Sequence, residues 1–101
     1  MATGVGLSGA TGEILTMQIT TTVGRALLKR VAGDDSQFAS TPQCEFVKDT
    51  TAGCWRLRHV DSATNPTFLD GHAVTEAVRI TSGSLLTIGP EKMPLTITLE
   101  Y

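Results

Sequence analysis

Short runs of β-branched and alternating apolar residues, broken by turn signals roughly every eight to twelve residues, limit what this chain can fold into. The cleanest run comes last: Leu95, Ile97, Leu99 and Tyr101 alternate with Thr96, Thr98 and Glu100, the period of a half-buried strand. Ile14 to Val23 is dominated by Thr, Ile, Leu, Met and Val and reads as another strand, ended by Gly24. Gln43 to Asp49 and Cys54 to Val60 read as a hairpin around Thr50-Thr51-Ala52-Gly53. Leu85, Leu86 and Ile88 form a further strand, ended by Gly89-Pro90, and Ala73 to Ile80 reads as one kinked strand. Many short strands with regular turns predict an all-β chain, and specifically a β-sandwich.

One segment departs from the strand pattern. Ala26, Leu27, Leu28 and Val31, with Lys29 and Arg30, have helical spacing and propensity over 26–32, and Gly33 would stop a helix there. An irregular loop with Leu27 and Leu28 packed on a sheet edge fits equally well, and both readings stay open. Gly33 to Ser36 is a turn cluster. Residues 1–12 are small and Gly-rich, without the basic start or long apolar centre of a secretory signal, and are expected to form a flexible tail ahead of a domain spanning 13–101.

At 101 residues the chain makes one domain with a modest core. Charged residues make up 18% and the net charge is −2, which argues against strong nonspecific nucleic-acid binding. No apolar run approaches the roughly 20 residues of a membrane span. In the expected hairpin Cys44 falls near Arg58 and Cys54 near Lys48, about four residues out of step and too far to bridge at about 3.3 Å per residue. Both read as free thiols in a reducing, intracellular compartment. Two Cys and two His at scattered spacings give no zinc pattern, and no cofactor is expected.

Candidate binding groups centre on Trp55 to Gly71. Trp55, Leu57 and His59 alternate with Arg56, Arg58 and Val60 as a strand; Asp61 to Pro66 is nearly pure turn chemistry; Thr67, Phe68 and Leu69 resume a strand before Asp70-Gly71. Loops on rigid sheet ends are where binding groups usually sit. The loop Thr64-Asn65-Pro66 ahead of Thr67-Phe68 resembles the loop after the Trp strand in forkhead-associated domains. Two upstream features are similar and in the same order: Gly24-Arg25 after a strand, and Ser40-Thr41-Pro42-Gln43 leading into Cys44. Gln43, Asn65-Pro66 and the ending Gly89 to Glu100 look like the branch at the front of polynucleotide kinase/phosphatase, aprataxin and their relatives in DNA strand-break repair. The resemblance covers roughly residues 19–101, and Arg25 to Ser40 is longer than that branch leads one to expect, so an insertion belongs there.

The resemblance implies a phosphothreonine-peptide reader, the N-terminal domain of a longer nuclear protein, docking it onto a phosphorylated partner. Arg25 and Ser40 would grip phosphate, with Thr41 beside them; Thr64 would help by side chain or backbone; Asn65 would bond the ligand's main chain. A phosphate wants such a convergence of guanidinium, hydroxyl and N–H groups. Each residue also has a plainer reading. Arg25 could be a surface residue at a strand end, Ser40 a turn cap and Asn65 a brace for its own loop. Pro66 reads as a loop stiffener. Where the repair branch carries extra basic residues, this chain has Gln37, Phe38 and Thr41; Lys29, Arg30, Arg56 or Arg58 would have to compensate, or else they form solvated faces. The alternative is a phosphate-independent protein–protein or dimerisation module, with the domain otherwise a monomer or weak dimer. Ser40, His59 and Asp61 are the only nucleophile–base–acid types to assemble, and without a nucleophile elbow or oxyanion loop no enzyme is expected.

Overall fold

The computed structural model describes residues 1–89 and 92–101, with Lys92 described by its backbone alone. In chain order the elements are β1 (Gly4–Ser8), β2 (Ile14–Met17), β3 (Thr21–Val23), α1 (Arg25–Ala32), a 3₁₀ segment (Gly33–Phe38), β4 (Cys44–Asp49), β5 (Cys54–His59), β6 (Thr67–Leu69), β7 (His72–Ala73), β8 (Val78–Arg79), β9 (Leu85–Ile88) and β10 (Lys92–Glu100). Among the described residues the strands form two antiparallel sheets, one of six strands ordered β2-β1-β10-β9-β6-β7 and one of four ordered β3-β4-β5-β8. This is the expected β-sandwich, with α1 as its single α-helix among those residues.

Period-two alternation decides what enters the core. On β1 and β10, Val5, Leu7, Leu95 and Ile97 point inward and are fully buried; on β4 and β5, Phe46, Leu57 and Trp55 do the same from the other sheet. The opposite face of that hairpin pairs Glu45 with Arg58 and sets Asp49 near Arg56, at 3.0 and 3.2 Å. The Ala52 N–H, then Arg56, holds the Asp49 carboxyl below its usual range. Helix α1 buries Leu28, Val31 and Ala32, and Gly33 at φ 65° ends it where its sequence predicted.

Residues 1–12 are not a flexible tail. β1 lies between β2 and β10, and the Trp55 Nε1–H donates to the Ala2 carbonyl at 3.0 Å in a buried bond. Of the glycines that suggested mobility, Gly9 is there for space. A Cβ at Gly9 would sit 2.6 Å from Leu95 Cδ2 and 2.7 Å from the Val31 carbonyl oxygen, so glycine lets α1 close onto the sheet. The same segment clamps the helix: Thr11 Oγ1 donates to the Arg30 carbonyl at 2.7 Å, and Arg30 meets Glu13.

Three further expectations are corrected. Ile14 to Val23 is two strands in opposite sheets; the corner at 18–20 is fixed by Lys48, whose N–H donates to Thr20 Oγ1 and whose Nζ donates to the Gln18 carbonyl. Ala73 to Ile80 contributes to β7 and β8, again in opposite sheets. The hairpin register is one residue from that predicted: Cys44 faces His59 and Cys54 faces Asp49, because Gly53 N–H closes the turn on the Asp49 carbonyl at 2.8 Å. Both thiols are nonetheless free. The predicted stop at Gly89-Pro90 has its second residue outside the described residues, as has Glu91 of the Gly89 to Glu100 ending.

Truncating Leu7 to Ala should destabilise the domain by about 2–5 kcal/mol in urea unfolding, as a core cavity does; a residue in a loose tail would cost nothing. Burial pushes the Cys44 thiol from 9.0 to about 12. The folded state therefore favours the protonated thiol. Its stability advantage is whole below pH 9 and drains away as pH rises toward 12. Denaturant midpoints across that range should fall more steeply for the native chain than for Cys44→Ala.

Candidate functional site

The chain leaves the sandwich at one end through three loops: the step from β3 into α1, the segment from the 3₁₀ turn into β4, and the connection between β5 and β6. One buried side chain binds the last two to each other. Gln43 is 0% exposed and immediately precedes β4. Its Oε1 accepts the Ser40 N–H at 2.9 Å; its Nε2 donates to the Asn65 carbonyl at 2.8 Å and to Thr67 Oγ1 at 3.0 Å. The partners are one donor and two acceptors, which fixes the amide's orientation. Thr67 Oγ1 continues to His59 Nδ1 at 2.8 Å. A buried amide needs such satisfaction, since an orphaned group costs about 1–3 kcal/mol.

Around this hub the five predicted residues come together. Arg25 Nε donates to the Ala39 carbonyl at 3.0 Å, which places the guanidinium beside the peptide unit entering Ser40. Arg25 N–H reaches Thr41 Oγ1 at 3.4 Å. Gly24 permits this approach: a Cβ there would lie 3.2 Å from both the Ser40 carbonyl oxygen and Thr41 Cα. Ser40 Oγ accepts the Thr64 N–H at 2.8 Å, tying the second loop to the third. Accepting fixes the oxygen and leaves its O–H able to donate. Asn65 Nδ2 donates to the Phe38 carbonyl at 2.8 Å, so Asn65 braces across to the 3₁₀ segment rather than within its own loop; the bond uses its NH2 and not its Oδ1.

Some expectations are narrowed. Thr64 N–H is spent on Ser40, so Thr64 can offer a ligand its hydroxyl rather than that amide. Arg30, Arg56 and Arg58 are each paired with a carboxylate and are not spare charge for the rim. Arg25 forms no ion pair among the described residues. An open depression of about 700 Å³ adjoins it, lined by Arg25, Ala26, Lys29, Asp34, Gln37 and Thr41; Ser40, Thr64 and Asn65 lie outside that lining. Sequence reading passed over Gln43 as an organiser and Asp34 as a wall. Alternation from buried Cys44 and Phe46 puts Gln43 on the outward face, so the pattern carried no signal of its burial.

The groups suit an oxyanion rather than a metal. No cluster of three metal-ligating side chains occurs among the described residues. The Ser40 oxygen is bonded to an amide, and His59 Nδ1 to Thr67, so the nucleophile and base needed for hydrolysis are not joined. Among the described residues no helix is long and apolar enough to cross a membrane.

Replacing Gln43 with Leu should cost at least about 2 kcal/mol in chemical unfolding, because the Ser40 N–H, the Asn65 carbonyl and the Thr67 hydroxyl lose their partner together. Amide exchange at Ser40 should accelerate in the same variant.

Comparison with known proteins agrees with this architecture. The FHA domain of an Arabidopsis thaliana hypothetical protein is similar in structure, with a TM-score of 0.76 at 20% identity over 99% of this chain and 88% of that one. A structure described as an analysis of phosphothreonine-dependent FHA domain interactions matches with a TM-score of 0.72 at 16% identity, covering 98% and 99%. The FHA domain of human APLF in complex with an XRCC1 bisphospho peptide matches with a TM-score of 0.71 at 18% identity, covering 94% and 97%. At these identities the likeness shows the fold alone. No curated protein matches at a significant level. A model of the FHA domain family, however, matches residues 21–89, which takes in all three loops of the rim, and the chain belongs to the FHA domain family.

Proposed function

We propose that this domain binds phosphothreonine peptides at the rim formed by Arg25, Ser40, Thr41, Thr64 and Asn65, and so docks its parent protein onto a phosphorylated partner. FHA domains are phosphopeptide-binding modules and not enzymes. The observation that carries the reading for this chain is the pairing of Ser40 with Thr64. It holds the Ser40 hydroxyl one residue after the Ala39 carbonyl that the Arg25 guanidinium grips, and that guanidinium has no carboxylate partner among the described residues. A phosphate dianion takes such a charge-assisted set more strongly than neutral groups do. Thr41 adds one neutral hydroxyl, and Asn65 Oδ1 is an acceptor for a ligand N–H.

Gln43 and Asn65-Pro66 favour the strand-break-repair branch, and a nuclear setting in a longer protein is proposed with it. Gln43 does not argue for a degenerate pocket, since it serves the loops from inside.

Calorimetric titration of matched phosphorylated and plain threonine peptides tests the function. Arg25→Ala should weaken phosphopeptide binding about tenfold to a hundredfold, the worth of a hydrogen bond to a charged group. Ser40→Ala should weaken it about tenfold. Equal or absent heats for the two peptides would overturn the proposal and favour a phosphate-independent interaction module.

A further inference from the structure

Helix α1 points its cations in two directions. Arg30 turns to Glu13, with 2.6 Å between Nε and Oε2. Arg25 and Lys29 are four residues apart, the spacing that stacks two side chains on one helix face. Both line the depression beside the rim. Like charges so placed repel each other, and neither forms an ion pair among the described residues, where the pairs are Arg30–Glu13, Arg56–Asp49 and Arg58–Glu45. Lys29 is exposed, and the helix that carries it lies in the stretch longer than its resemblance led one to expect. The helix thus extends a cationic track from Arg25 away from the Gly24 end that packs on Ser40.

We infer that Lys29 is a second anchor, which takes an anionic side chain of the peptide two residues away from the phosphothreonine. This rests on the phosphothreonine reading of the rim. Spacing sets the position. Four helical residues rise about 6 Å, and two residues of extended peptide cover about 6.6 Å and return to the same side. Asp34 lines the same depression and makes the site selective: it disfavours a ligand that is acidic throughout and leaves room for one matched acid. The anion is a carboxylate or a phosphate, both of which an ammonium accepts as a point charge.

Alanine-flanked phosphothreonine peptides in which a single Glu is walked from position −4 to +4 test this by fluorescence anisotropy, with a phosphoserine version at the best position. Affinity should rise about twofold to fivefold with Glu at −2 or +2, the range of an exposed ion pair. Lys29→Gln should abolish that gain and Lys29→Glu should turn it into a loss, while the all-alanine phosphopeptide still binds both variants. A larger gain from phosphoserine than from Glu names phosphate as the anion; the reverse names carboxylate. A flat profile, or a gain that survives Lys29→Gln, overturns the role of Lys29 while binding of the all-alanine phosphopeptide leaves the rim reading standing. If no phosphopeptide binds better than its plain counterpart, both fall together.

Discussion

A single neutral amide inside the sandwich decides where two surface loops can lie. Gln43 donates to the loop after β5 and accepts from the loop before β4. Loops ordinarily owe their positions to their own turns; here an interior hydrogen-bond network overrides that freedom. Low dielectric strengthens each bond and makes any missing partner expensive, so the network favours one arrangement over many. The groups that face outward inherit this order. Ser40 is held through its N–H and through its side-chain oxygen, and its hydroxyl hydrogen is left uncommitted.

The helix between β3 and β4 is attached to the scaffold at both ends, and the attachments differ in kind. Its start rests on close packing, with Gly24 against Ser40 and Thr41. Its end rests on residues 9–13, through Gly9, Thr11 and Glu13. The N-terminal strand therefore does more than complete a sheet. It fixes the far end of the element that delivers Arg25, so the rim depends on residues distant from it in both sequence and space.

Much of this was legible beforehand, and the exceptions share a cause. Alternation reported burial at Leu95 and Ile97 and at Trp55 and Leu57, because one face of each strand meets the core; at the strand ends it fades, with Leu99 and His59 half-buried and Tyr101 exposed. The spacing of Leu28 and Val31 reported a helix face. β1 was missed because its outward positions are Gly4, Gly6 and Ser8, a composition shared with loops, and its partner β10 is nearly the whole chain away. The break within 14–23 was missed because both halves are β-branched; Lys48 settles it from another strand. The five rim residues were found by their order along the chain. The bonds that join them could not be, since Gln43 looked like a surface residue until its burial was known.

The contact between Trp55 and Ala2 gives the domain a built-in optical reporter. The chain contains one tryptophan. Its indole is almost entirely shielded and bonded to the second residue of the polypeptide. Emission from that ring therefore registers the docking of the N-terminal strand, and through it the seating of the helix, without any added label.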